Sequence, residues 1–233
     1  MATGSCVAVL SGCQGALSTS SRPQVRVIDV SPDAPEVDIY QNSSAIAYKL
    51  GFGTITSYVP VEPGSYTTSA AISGTRQKLA SSKATLAIAG QYTVLIGNYS
   101  SSLQQVMLKD QSQPAPPGQI ALRLIDQATE AGPVDIYLVP AGQKLGSLAP
   151  LVTGATYNAN TGYRNLPAGS YTLTVVPAGT VQADNSEILY TGAQVSYDVG
   201  SASTVVLIDQ RKIGERSEVQ AILAQDYVPN AAE

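Results

Sequence analysis

The chain has 233 residues, only 13% of them charged, a net charge of −4 and no histidine. Without histidine there is no Ser-His-Asp or Cys-His catalysis, and the commonest zinc ligand is gone. No basic stripe exists to neutralise phosphates, which excludes nucleic acid as a partner, and no run of roughly 18 apolar residues exists to span a bilayer as a helix.

Taken in chain order, residues 1–24 read as an export segment and polar tether. Leu10-Ser11-Gly12-Cys13 follows the apolar run Cys6 to Leu10 and precedes a Ser/Thr-rich stretch ending at Arg22. This pattern reads as a bacterial lipobox, with Cys13 as the acylated residue. Only 12 residues precede Cys13 and none is Lys or Arg, so the charged start of a signal peptide would lie upstream of Met1. A tail that merely contains cysteine and a Cys6–Cys13 disulfide are the competing readings.

From Val25 onward the strand signals are dense. Val25-Arg26-Val27-Ile28 is β-branched and is broken by Ser31-Pro32-Asp33-Ala34-Pro35, since proline cannot donate to a ladder. Val37 to Tyr40, Tyr66 to Ile72, Ala84 to Ile88, Tyr92 to Ile96 and Gln104 to Leu108 follow, separated by Gly or Ser turns. Residues 111–118 (QSQPAPPG) form an extended, semi-rigid linker. Strands resume at Arg123 to Ile125, Val134 to Leu138, Tyr171 to Val176, Glu187 to Tyr190, Thr204 to Ile208 and Val219 to Leu223. Arg211, Lys212, Glu215 and Arg216 read as a solvated hairpin tip.

The second series repeats the first. Ile28-Asp29 recurs as Ile125-Asp126, and Val37-Asp38-Ile39-Tyr40 recurs unchanged as Val134-Asp135-Ile136-Tyr137, both 97 positions on (29 to 126, 38 to 135). A repeat this long indicates tandem domains, because solenoid repeats run about 20–50 residues. Short strands bounded by turn residues make the expected fold all-β: two tandem antiparallel sandwiches, immunoglobulin-like or transthyretin-like, at residues 25–110 and 119–233. The proline-rich linker leads us to expect two units that fold independently with few contacts between them.

Gly64-Ser65-Tyr66 and Gly169-Ser170-Tyr171 fit the tyrosine corner of such sandwiches, which makes Gly64, Tyr66, Gly169 and Tyr171 structural residues. Asp29, Asp33, Glu36 and Asp38 cluster in sequence, but the oxygen spacing of a calcium loop is missing, so no metal is expected. Asp38 and Asp135 are expected on the outward strand face or capping loop amides. No nucleophile elbow, phosphate loop or cofactor motif is present, so no catalytic residue is assigned. Loops carry recognition on rigid scaffolds, which makes Asp33, Glu36, Tyr58 and Tyr99 the candidate ligand-binding residues. Tyr157 and Tyr163 read as loop tyrosines too.

The run Val25 to Tyr40, with Phe52-Gly53, Pro63-Gly64-Ser65-Tyr66-Thr67 and Gln91 to Gly97, resembles the bacterial domain of unknown function 4397. The resemblance covers most of Val25 to Asp110 and extends to Ala121 to Asp226. It implies an exported, lipid-anchored surface protein at the cell envelope, facing the periplasm or exterior. Members of that family often carry His where this chain has Asp29 and Asp126. The expected function is a non-catalytic binding or scaffold protein for an envelope polymer or protein, held to the membrane by its lipid. A purely structural adhesin or spacer, and a carboxylate-dependent glycan hydrolase, are the alternatives.

Overall fold

The computed structural model describes residues 22–180, 188–210 and 218–229 and contains no α-helix among them. Cys13 and the Arg211–Arg216 tip lie outside the described residues.

The first half comprises β1 (Gln24–Asp29), β2 (Val37–Gln41), β3 (Ser44–Leu50), β4 (Thr54–Ile55), β5 (Val59–Pro60), β6 (Gly64–Ile72), β7 (Lys78–Leu86), β8 (Gln91–Gly97) and β9 (Gln104–Asp110). Its outer sheet runs β3-β2-β6-β7, and its inner sheet runs β4-β1-β8-β9 with β5 also on β1. The second half comprises β10 (Gln119–Asp126), β11 (Val134–Pro140), β12 (Val152–Ala155), β13 (Asn160–Pro167), β14 (Gly169–Pro177), β15 (Tyr190–Tyr197), β16 (Ala202–Gln210) and β17 (Glu218–Tyr227). Its sheets repeat the plan: β12-β11-β14-β15 outside and β13-β10-β16-β17 inside. The fold is an all-β sandwich in each half. Each inner sheet contains one parallel pair, β1 with β8 and β10 with β16.

The inner strands show why the stack forms. β1 and β10 are buried along almost their whole length, on both faces, and strands buried twice carry near-continuous apolar runs. Val25 and Val27 point into the first core with Val37, Ile39, Val94 and Ile96. Ile120, Leu122 and Leu124 do the same in the second half with Val134, Ile136, Val205 and Leu207. Their alternate neighbours face the other way. Ile28, Val30 and Leu95 meet Ile125, Val206, Ile208 and Ala224, so the two inner sheets pack on each other. The halves therefore share a buried layer, where the linker leads one to expect few contacts between them. The order of layers is outer, inner, inner, outer.

Two buried ion pairs cross this central layer, and they exchange partners. Arg26 of β1 pairs with Asp226 of β17, and Arg123 of β10 pairs with Asp110 of β9 at 2.6 Å. Each arginine donates its Nε to a threonine on the neighbouring strand: Arg26 to Thr93 at 2.9 Å, Arg123 to Thr204 at 3.0 Å. Each also donates to a backbone carbonyl of the opposite half: Gln225 for Arg26 and Lys109 for Arg123. Those threonine hydroxyls donate in turn to Asp110 and Asp226. A tyrosine roofs each pair, with Arg26 Cζ over the Tyr58 ring and Arg123 Cζ over Tyr163, both at 4.7 Å. The reciprocity, residue i to j and j to i, is that of an isologous dimer interface.

Close approach of the sheets also fixes Gly97 on β8. A Cβ there would lie 2.0 Å from Oε1 of Gln127, a buried residue of the other half.

Two further buried acids sit at the ends of β10 and β1. Asp126 Oδ1 accepts the Ala128 N–H at 2.9 Å while its Oδ2 has no hydrogen-bond partner among the described residues. Burial pushes its pKa up to about 6, and it does the same for Asp29, whose Oδ1 accepts the Ser31 N–H. Between about pH 4 and 6 only the folded state keeps these protons. The stability they favour is therefore complete at the acid end and is lost as pH rises through 6. Asp126→Asn is expected to raise stability at pH 7.5 by about 1–3 kcal/mol and to change it little at pH 4. Thermal melts at the two pH values check this; equal gains at both would refute it.

Candidate functional site

The site is built on a bulge. Between the paired positions Val37↔Leu50 and Ile39↔Ala47, two residues of β3, Tyr48 and Lys49, oppose the single Asp38 of β2. An extra residue bends the strand and re-aims its side chains. Asp38 pins this bend: Oδ1 accepts the Lys49 N–H at 2.9 Å and Oδ2 the Gly74 N–H at 3.1 Å. The Lys49 bond leads in holding the Asp38 pKa below its ordinary value. Both placements expected for Asp38 hold: it lies on the face of β2 opposite the core residues Val37 and Ile39, and it caps loop amides.

The second half repeats the bend with different side chains. Asp135 accepts from Gly154 at 2.7 Å and Gly179 at 3.0 Å, and Thr153 and Gly154 oppose it. The left-handed residue is Lys49 at φ 51° in the first half and Gly154 at φ 62° in the second. Glycine takes that conformation freely, whereas a residue with a Cβ is strained there.

Around the first bulge lies an open depression of about 970 Å³, lined by Glu36, Tyr40, Tyr48, Lys49 and Arg76, among others. Tyr48 is 66% exposed, unusual for so large a ring. The Arg76 guanidinium lies over the Tyr40 ring at 5.0 Å, a cation–π contact that leaves its N–H edge available. Neither Lys49 Nζ nor Arg76 has a hydrogen bond or ion pair from its side chain among the described residues. A second cleft of about 540 Å³ lies at the edge of the central layer, beside Gln104, Gln127 and Asn158. Its amides bond one another, Asn158 to Gln104 at 3.0 Å and Gln127 to Asn158 at 2.9 Å.

The sequence-derived candidates scatter. Glu36 is exposed on the rim of the depression. Asp33 is exposed and accepts the Ser100 N–H at 2.6 Å, fastening the turn after β8. Tyr99 lies next to that turn and donates its hydroxyl to Glu130 of the second half. Asp33 and Tyr99 thus come together beyond the ends of β1 and β8.

Tyr58 does not join them. It lies beside Val59, which pairs with Val25 near the start of β1, and its hydroxyl donates to Asp110 at 2.8 Å. Burial pushes its pKa far up. Tyr58 is thus corrected from a recognition residue to a part of the central layer. Tyr163, bonded to Asp226 at 2.7 Å, is its counterpart, and Tyr157 donates to Gln104 at 3.3 Å. Tyr66 donates to the carbonyl of Glu62 at 2.9 Å and Tyr171 to that of Pro167 at 2.7 Å, each four residues back. Gly64 and Gly169 before them have φ 151° and 156°. Among the described residues no acidic cluster is arranged to hold a metal ion.

Sequence reasoning missed Tyr40, Tyr48, Lys49 and Arg76. The available signal was Ala47-Tyr48-Lys49-Leu50, where the apolar alternation slips by one.

No curated protein matches this chain. A crystal structure of CBMbc (family CBM26) from Eubacterium rectale Amy13K in complex with maltoheptaose is similar over 89% of this chain and 98% of that one, at 10% identity and a TM-score of 0.23. A likeness that weak carries no argument. The family model described as Domain of unknown function (DUF4397) matches residues 23–137, which take in the first sandwich, the linker, β10 and the start of β11. The match supports that family for the first sandwich.

Proposed function

We propose that the chain is an exported, lipid-anchored, non-catalytic protein that binds an envelope polymer through the depression at the first bulge. The observation that carries this reading is the exposed Tyr48 beside Tyr40, with two cations, Lys49 and Arg76, whose side-chain N–H groups make no hydrogen bond among the described residues. Exposed aromatic faces stack on the apolar faces of sugars and other polymer units. The spacer reading predicts no ligand, and the hydrolase reading needs turnover. Titrating the purified chain with envelope polysaccharides and peptidoglycan fragments, then assaying glycosidase and esterase substrates, separates the three. Binding without turnover, lost in Tyr48→Ala, supports the proposal. Turnover that Asp33→Asn or Asp38→Asn abolishes would replace it with the hydrolase.

The anchor rests on Cys13. Each buried CH₂ of an acyl chain adds about 0.8 kcal/mol of membrane affinity, and stable anchoring takes more than one chain. Cys13→Ser, made in the complete open reading frame, is expected to move the protein from the membrane to the soluble fraction. A wild-type protein that is already soluble after export would end the anchoring proposal.

A further inference from the structure

We infer that the ligand of the Tyr48 depression is an acidic saccharide, its carboxylate or phosphate held between Lys49 and Arg76. This rests on the binding reading above and narrows it to a chemical class.

The charges around the depression are Glu36, Asp38, Lys49 and Arg76. Asp38 is only 4% exposed, and both its oxygens accept backbone N–H groups, so it presents no acceptor to a ligand. That leaves one exposed acid, Glu36 at the rim, against two exposed bases. Counted as charges, Glu36 and Asp38 balance Lys49 and Arg76, but Asp38 is spent on backbone N–H groups, so what this concavity presents to an incoming ligand is two cations and one rim carboxylate. The guanidinium is already held over Tyr40, which limits its freedom before it meets a planar or tetrahedral oxyanion. Tyr48, 66% exposed, supplies flat apolar surface in the same depression, which suits a sugar ring and not a bare ion.

Lys49 supplies the independent argument. The same bulge in the second half is made with Gly154, in the same left-handed conformation and with the same Asp bond. Glycine therefore satisfies the fold. Lysine at that position strains the backbone, and its ammonium makes no hydrogen bond or ion pair among the described residues; its charge is the smallest of the influences that hold the Asp38 pKa down. Strain of this kind gathers where a side chain has a role outside the fold. The second half also has Thr153 where the first has Tyr48, so ring and cation are absent together there.

The test uses calorimetric titration of the full chain with trigalacturonate, with its uncharged counterpart galactotriose, and with glucose 1-phosphate. The acidic sugars are expected to bind at least about tenfold more tightly than galactotriose, and less tightly as salt is added. The stronger of the two identifies whether carboxylate or phosphate is the natural group. Lys49→Gly is expected to weaken acidic-sugar binding by about tenfold while the melting temperature stays level or rises, because the strain is relieved. A merely structural lysine would lower the melting temperature on replacement and leave binding unchanged. Equal affinity for acidic and neutral sugars, or Lys49→Gly binding like the wild type, overturns the inference. If galactotriose binds as well as the acidic sugars and only Tyr48→Ala abolishes it, polymer binding stands and the acidic class falls. If no saccharide or polymer binds, both fall.

Discussion

Arg123→Ala is expected to destabilise the protein by about 3–5 kcal/mol, the usual effect of orphaning one member of a buried ion pair. Arg123 is 3% exposed and Asp110 is 4% exposed, so neither charge has water to fall back on. Removing the guanidinium leaves Asp110 with the Tyr58 and Thr93 hydroxyls but no counter-charge. It also strips the Lys109 carbonyl and Thr204 of a donor. Arg26→Ala should do the same to Asp226 across the other arm. A double replacement, Arg123→Met with Asp110→Leu, should be much less harmful than Arg123→Ala alone, because no buried charge is stranded. Denaturant titrations of the variants and the wild type check the ordering. A single variant within about 1 kcal/mol of wild type would mean that the cluster is hydrated in solution.

The second large effect follows from cutting the chain. With a protease site placed in the linker at residues 111–113, the nicked halves are expected to stay together through size exclusion. The central layer holds them, and Ile28, Val30 and Leu95 would otherwise face water. The first half expressed alone is not expected to be a monomer. Arg26 of one copy can face Asp110 of another, as Arg123 does in the intact chain, so a dimer is the expected species by light scattering. A monomer that melts cooperatively at the temperature of the whole chain would show that the inner faces contribute little.

The two-sandwich plan was legible because the repeat doubles every signal: the strand pairs β2 and β11, and β8 and β16, fall on residues that match each other. β3, β12 and β13 were not: Ser44–Leu50 holds a single β-branched residue, Ile46, Val152–Ala155 and Asn160–Pro167 are interrupted by Gly154 and Gly162, and all three lie on sheet edges. β7 runs Lys78–Leu86, earlier than the Ala84 to Ile88 expected, because its outward positions are polar and only the end looks like a core strand. The central layer was hidden for another reason. Arg26 and Asp226 are 200 positions apart, and no local pattern links them. The sequence held one clue: an arginine recurring inside two otherwise apolar strands, at Arg26 and Arg123, must have a buried partner. Of the candidate site, only Glu36 was read from sequence, since a bulge that turns Tyr48 and Lys49 outward is a property of the pairing.

The exchange of Arg–Asp partners means that the linker turns what would be a meeting of two molecules into a step within one. A short tether typically holds its ends at millimolar effective concentration. The assembled form should therefore survive any dilution, and its melting should not depend on how much protein is present. Fusion also breaks the equivalence that two identical subunits must obey. One half can carry Thr153 and Gly154 in place of the ring and cation that the other keeps, so the pair has one such face where a symmetric dimer would have two.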